Sequence, residues 1–435
     1  MNNTHRNSVR YRACRTCALI GLGILSLGLS PRVPAADNLI DALKAGQFDV
    51  DLRYRFEHVD DDSPKVLKDA EASTLRTALG YRTGLFRGFG AYLQMEDVRV
   101  LGPERYNDGG ANALSQYATV VDPPGTELNQ GYLSYAGWRS WRLRVGREEW
   151  VLDDQRFIGD VGWRQNHQSY DLVRGSYRGL ADTVLDYAYV WNVNRIFGQD
   201  NPNPLLRHFA MHSQLLHASW TGSGWGRLSA YGYLLDFAAA PALSTQTWGL
   251  RFSGEHALRG GWSAQYGAEY AKQLDYAANP HAIDADYALG ELGLEYRLGA
   301  WLQSVGAKLS YEWLSGDGGT SVLQTPLATG HAFQGWADKF LTTPADGIRD
   351  AYATLSAQVL GAKLMAVYHD FRADHGGYRY GHEVDVLLLR RFRTHYTVGF
   401  KYAGYTADRN ALNVARNPGQ NTDITKYWAF AQVKF

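Results

Sequence analysis

The chain has 435 residues, with 44 basic and 44 acidic side chains, 46 glycines, 28 tyrosines, 13 tryptophans and two cysteines. It lacks the basic excess that a nucleic-acid partner favours. Beyond Leu29 it has no apolar run long enough for a helical membrane span.

The first residues read as a secretory signal. Arg6, Arg10, Arg12 and Arg15 precede an apolar stretch from Ala18 to Leu29, and Ala35 or Ala36 offers a small residue for cleavage. Residues 1–35 are therefore expected to be removed, leaving 36–435 as a single domain. They carry five arginines and no acid, so the balance shifts to 39 basic against 44 acidic. Cys14 and Cys17 go with them, and the mature chain then has neither disulfides nor thiol chemistry.

From there the chain alternates. Phe48, Val50, Leu52, Tyr54 and Phe56 fall on one face, and Asp49, Asp51, Arg53, Arg55 and Glu57 on the other. Similar segments predict strands near 48–59, 71–83, 89–99, 127–136, 141–148, 169–177, 183–193, 210–220 and 226–236. They continue near 245–255, 262–272, 286–297, 304–313, 349–359, 362–371, 382–391, 394–404 and 426–435, about 18 in all. The connections alternate short and long. Gly84–Gly88, Leu360-Gly361 and Phe392-Arg393 are tight, whereas 100–126, 149–168, 194–209, 314–348 and 405–425 are long and polar.

That rhythm predicts an all-β, antiparallel up-and-down barrel in the outer membrane of a Gram-negative bacterium, with both termini in the periplasm. Only a closed sheet satisfies every backbone N–H and C=O at membrane depth without helices. The last strand, Lys426 to Phe435, puts Tyr427, Ala429, Ala431, Val433 and Phe435 on the lipid side. A terminal strand ending on Phe435 is what the barrel-assembly machinery is expected to receive.

At about 18 strands the lumen admits water, so its charges decide what passes. Parity places Arg53, Arg55, Arg76, Arg82, Arg142, Arg144 and Lys401 inside, with acids that include Glu255, Glu291, Glu295, Glu383 and Asp385. The basic residues crowd strands 1, 2 and 5, and the acids crowd strands 11 to 13. Such walls would set a transverse field. The arginine fork matches a carboxylate, so the wall either binds anionic solutes or is neutralised by neighbouring acids. No histidine spacing marks a metal site, and no cofactor motif or catalytic constellation appears. The chain is expected to be a channel and not an enzyme.

Three segments carry a family resemblance: Asp122 to Gln130; Gly146-Arg147 continuing through Asp154 to Asn166; and His331 to Phe340, ending in Gly347-Ile348-Arg349-Asp350. Together they resemble the alginate-export family of outer-membrane barrels, in its broad porin-like branch. The resemblance implies an 18-stranded channel for anionic polysaccharide or related small anions. It also implies that Arg147, Arg372 and Lys401 are basic lumen residues. Glu148 departs from the family's usual Gln. The segment 314–348, with Trp336, Asp338, Lys339 and Phe340, is expected to fold over or into the pore as a constriction, with an ordinary ordered surface loop as the alternative. A general or nutrient-uptake porin of other selectivity is the alternative function.

Overall fold

The computed structural model describes residues 38–435; the expected signal, its cleavage point and both cysteines lie outside them. Among the described residues the chain forms 18 strands. They are β1 (Gln47–Asp61), β2 (Ala70–Arg82), β3 (Phe89–Val100), β4 (Gly125–Tyr135), β5 (Trp141–Glu148) and β6 (Ser169–Tyr177). Next come β7 (Thr183–Asn194), β8 (His208–Trp220), β9 (Arg227–Leu235), β10 (Thr245–Ala257), β11 (Trp262–Asp275) and β12 (Asp284–Arg297). The last are β13 (Leu302–Leu314), β14 (Ile348–Val359), β15 (Ala362–Arg372), β16 (Arg379–Phe392), β17 (Tyr396–Ala407) and β18 (Ile424–Lys434). Every strand expected from periodicity is present, with ends moved by a few residues.

Each strand pairs antiparallel with the next, and β1 pairs with both β2 and β18, so the sheet closes on itself. Tyr54, for example, sits opposite Leu75 on one side and Ala431 on the other. Phe435 completes the seam through a hydrogen-bond pair with Val50, at 2.9 and 3.1 Å. The short turns lie at one end and the long segments at the other. A short helix, α1 (Leu39–Lys44), and Phe435 both lie at the turn end.

The radial order is the reverse of a water-soluble protein. Leu93, Leu133, Leu250, Leu292, Leu309 and Leu355 are exposed on the outer face, while Arg53, Arg55, Glu57, Arg76 and Glu96 are buried inside. Apolar side chains facing outward suit hydrocarbon surroundings. Aromatic pairs ring the turn end on that face: Phe48–Tyr81 at 4.7 Å, Phe89–Tyr135 at 4.6 Å and Trp141–Tyr177 at 4.9 Å between centroids. They form the interfacial girdle expected of such a barrel.

Candidate functional site

The inner wall is buried because two of the long segments fold into the lumen. The first is residues 149–168, between β5 and β6. Its start is tied to β8, β9 and β10: Asp153 receives His217 at 2.9 Å and Ser229 Oγ at 2.7 Å, and Asp154 pairs with Arg251 at 2.8 Å. Arg156 reaches Glu312 on β13 at 2.9 Å. Its far end lies on β1. Arg53 donates to Gln165 Oε1 at 2.9 Å and to the Gly162 carbonyl at 2.8 Å, and also binds the Arg164 carbonyl. Arg164 pairs with Glu57 at 3.0 Å. β1 and β10 stand on opposite sides of the 18-strand ring, so this segment crosses the lumen from wall to wall.

The second is residues 315–347, between β13 and β14. Gln334 donates to Glu312 at 2.5 Å. The backbone N–H groups of Trp336 and Ala337 donate to Asp385 at 3.2 Å and Glu383 at 2.7 Å, both on β16. Gly335 makes this possible: its φ is +79°, and a Cβ there would lie 2.4 Å from the Glu383 carboxyl carbon. Asp338 pairs with Lys426 on β18 at 2.7 Å. Lys339 reaches Thr422 at 3.1 Å, and Phe340 packs on Phe371, Tyr380 and Tyr405.

The two segments also join each other. Gly159 N–H bonds the Leu327 carbonyl at 3.0 Å, and Thr329 N–H bonds the Gln155 carbonyl at 3.1 Å. Arg164 reaches Asp338 at 3.3 Å, and Trp163 stacks on His331 at 4.7 Å. The product is a continuous septum.

Lys401 of β17 is enclosed at its junction with the wall. Its ammonium lies 3.8 Å from the Trp336 ring, 4.1 Å from Trp163 and 5.3 Å from Trp428. It is 2.7 Å from His331 Nε2. An ammonium only donates, so Nε2 accepts and Nδ1–H donates to Asp338 at 2.8 Å. Burial, then Lys401, hold the His331 imidazole well below its ordinary range, consistent with a neutral ring. Burial works to raise the Asp338 carboxyl, but Lys426, His331 and Arg164 outweigh it and hold Asp338 well below the usual carboxylate range.

Several residues singled out from the sequence occupy positions other than those expected. Arg53, Arg55 and Arg76 face inward, but they do not line an open wall. Arg55 pairs with Asp122 at 2.9 Å and Arg76 with Asp51 at 2.6 Å, and all three are buried by the septum. Arg147 and Arg372 do not face the lumen. Arg147 shares the outer face with Val145 and pairs with Asp171 at 2.7 Å; Arg372 shares it with Tyr368 and pairs with Asp370 at 2.9 Å. Strand alternation overrides the local motif match at both. Arg142 and Arg144 face inward below the septum, and Lys401, Glu383 and Asp385 face it. Asp122, Asp153, Trp163, Arg164 and Gln165 hold the inward segments to the wall and to each other, contacts that sequence reasoning missed. The visible signal was Phe157, Ile158 and Trp163, large apolar residues inside a long polar connection.

The sequence profile described as alginate export matches residues 45–376. The chain belongs to the alginate export family. Among solved structures, Acinetobacter baumannii OccAB4 is similar at TM-score 0.66 and 12% identity, covering 90% of this chain and 98% of its own. Pseudomonas aeruginosa OccK9 (OpdG) is similar at 0.66 and 13%, covering 91% and 100%. Pseudomonas aeruginosa OpdK, solved with vanillate, is similar at 0.62 and 13%, covering 89% and 98%. These likenesses concern the fold. No curated protein matches the chain. As an alginate export family barrel, it is an outer-membrane channel of a Gram-negative bacterium, embedded in the lipid bilayer.

Below the septum this family member keeps charge with access to water. Arg82, Arg142, Arg144 and Arg174 stand with Asp49, Glu148 and Asp186 on β1, β2 and β5–β7. Arg144 and Arg174 face each other across β5 and β6 and share Glu148, at 2.5 and 3.0 Å. Arg142 is exposed, with no ion-pair partner among the described residues. Across the ring are Glu255, Glu291 and Glu295, with Lys308 on Glu291 at 2.5 Å. A cavity of about 170 Å³ lies between the septum and the β10–β15 wall, lined among others by Lys308, Glu291, Phe333, Trp336, Tyr352 and His369.

One end of the septum carries a paired histidine and carboxylate. His167 lies 2.6 Å from Glu149 and 2.7 Å from Arg76. Burial lowers the His167 imidazole, but Glu149 and Glu96 outweigh burial and raise it above its ordinary 6.5. Glu149 is lowered to about 2, with burial opposed chiefly by His167. A raised folded-state value means the pair contributes fully below about 6.5 and is lost as pH rises through the raised value. Current noise in planar bilayers is expected to be flat below about 6.5 and to grow as pH rises through the raised His167 value. His167→Gln should flatten the profile; a rise with pH that persists in the variant would assign it to another group.

Proposed function

We propose that the channel passes small organic anions and short anionic saccharides, with the arginines below the septum as the selecting wall. The observation that carries this reading is the group Arg82, Arg142, Arg144 and Arg174, in which two arginines share one carboxylate and Arg142 has no ion-pair partner among the described residues. Guanidinium groups offer two parallel donors to a carboxylate. The septum favours small solutes over a polymer threaded through an open bore. Facing walls of unlike charge would orient a carboxylate during transit. We place the turn end and both termini in the periplasm and the long segments outside. In that orientation the strand ending on Phe435 is the one presented to the barrel-assembly machinery.

The test is the reversal potential under a salt gradient, with oligouronate added. Wild-type channels should be anion-selective and blocked by oligouronate. The double variant Arg142→Gln, Arg144→Gln should lose most of both effects. A pore that is weakly selective in wild type and indifferent to oligouronate would contradict the proposal.

A second reading, uptake of small aromatic acids, is favoured by the cavity beside the septum. Phe333, Trp336, Tyr352 and His369 give it aromatic faces, and Lys308 and Arg251 stand in it beside Asp154, Glu291 and Glu312. OpdK, similar in fold, was solved with vanillate. Block by vanillate stronger than block by oligouronate would favour this reading.

A further inference from the structure

Arg349, Arg372 and Arg379 lie side by side on the outer face. In the register of β14, β15 and β16, Arg349 is directly opposite Arg372, and Arg372 directly opposite Arg379. Like charges in such positions destabilise a sheet. Among the described residues, two carboxylates attend them. Asp374 pairs with Arg349 at 2.7 Å, and Asp370 is shared between Arg372 at 2.9 Å and Arg379 at 2.6 Å. The guanidinium side chains remain 47%, 59% and 34% exposed, so each has donors to spare.

The same three strands carry an apolar trough lower on the outer face. Leu355, Leu364, Ala366 and Val386 line it, with a volume of about 280 Å³. Ala366 lies six residues along β15 from Arg372, roughly 20 Å at the usual strand rise. Tyr368 stands between them, accepting from Arg379 at 3.4 Å. A net positive cluster of three arginines and two carboxylates, above a trough on the lipid-facing surface, matches the layout of one amphiphile: an anionic head above a hydrocarbon chain.

We infer that this face is a binding site for a phosphorylated lipid of the leaflet beside the long segments. The three guanidinium groups take a phosphate monoester, and the trough takes an acyl chain. A monoester presents three acceptor oxygens, which suits three adjacent forks. The inference uses the orientation proposed above but not the anion selectivity, because none of these arginines faces the lumen.

The test measures unfolding of the purified barrel in detergent, followed by its heat-modifiable migration. The added compounds are bis-phosphorylated lipid A, dephosphorylated lipid A, phosphatidylglycerol or inorganic phosphate. Bis-phosphorylated lipid A should raise the wild-type transition by roughly 5 °C, with little effect from the other three. Arg349→Gln, Arg372→Gln, Arg379→Gln together should abolish the rise and leave the reversal potential unchanged. If that variant does not fold, Ala366→Trp, which fills the trough, should reduce the rise instead. An equal rise with dephosphorylated lipid, with phosphate alone or with phosphatidylglycerol would overturn the inference. So would an undiminished rise in the variant that folds.

Discussion

Deleting residues 326–344 is expected to raise single-channel conductance severalfold. The deletion removes Leu327 and Thr329, which hold the other inward segment, and His331, Trp336 and Asp338, which hold the wall. Lys426 would then lose Asp338, and Lys401 would keep only Trp163 and Trp428 of its three tryptophans. The barrel itself should survive, because its closure rests on strand pairing between β13 and β14 and not on this segment. Adjacent strands are only about 4.8 Å apart, so residues 315–325 with 345–347 reach easily from one to the other. Planar-bilayer recordings decide the matter, with heat-modifiable migration confirming the fold. Unchanged conductance in a folded variant would mean that these residues do not limit the passage.

Arg164→Met is expected to act differently, adding a second and larger conductance level without abolishing the first. Arg164 bridges Glu57 on the wall and Asp338 in the other segment, at 3.0 and 3.3 Å. Removing one member of a buried pair typically costs about 3–5 kcal/mol, because the partner is left charged and unpaired. Here one oxygen of Glu57 already lacks a hydrogen-bond partner. At about 1.4 kcal/mol per decade, that cost shifts docking by a factor of roughly 10² to 4 × 10³. The larger level should therefore be occupied for a measurable share of the recording. Adding Glu57→Gln should restore part of the wild-type behaviour, since no buried charge is then stranded. Recordings indistinguishable from wild type would show that the Arg164 bridge does not hold the septum.

The strands were legible because a two-residue period and closely spaced aromatics leave little choice of face. Gly84–Gly88 and Leu360-Gly361 marked turns for the same reason: positive φ at Gly88 and Gly361 suits glycine. The inward course of 149–168 was not legible. Connections have no period, and whether Trp163 meets solvent or a wall depends on residues such as Arg53 and Arg55, distant in sequence. Arg53 and Arg55 themselves were placed on the right face, but their partners, the carbonyls of Gly162 and Trp163 and the Asp122 carboxylate, could not be read. Arg147 and Arg372 went astray for the opposite reason. A local motif was followed where counting from Val145 and Tyr368 puts both outside. In the 315–347 segment, the density of Gly, Trp and Phe in a long connection was enough to anticipate its entry into the lumen. Its grip on Glu383 and Asp385 through backbone N–H groups was not.

The crossing of the lumen by 149–168 has a mechanical consequence. A thin-walled tube under lateral pressure flattens most readily into an ellipse, and its bore changes shape before any wall bond breaks. A member fixed at β10 through Asp154 and at β1 through Arg164 works as a tie-rod along one diameter. Stretching that diameter strains buried ion pairs, and compressing it presses packed aromatic rings together. Flattening along the rod or across it changes the rod's length and is resisted alike, which leaves the two diagonals as the soft directions of the tube.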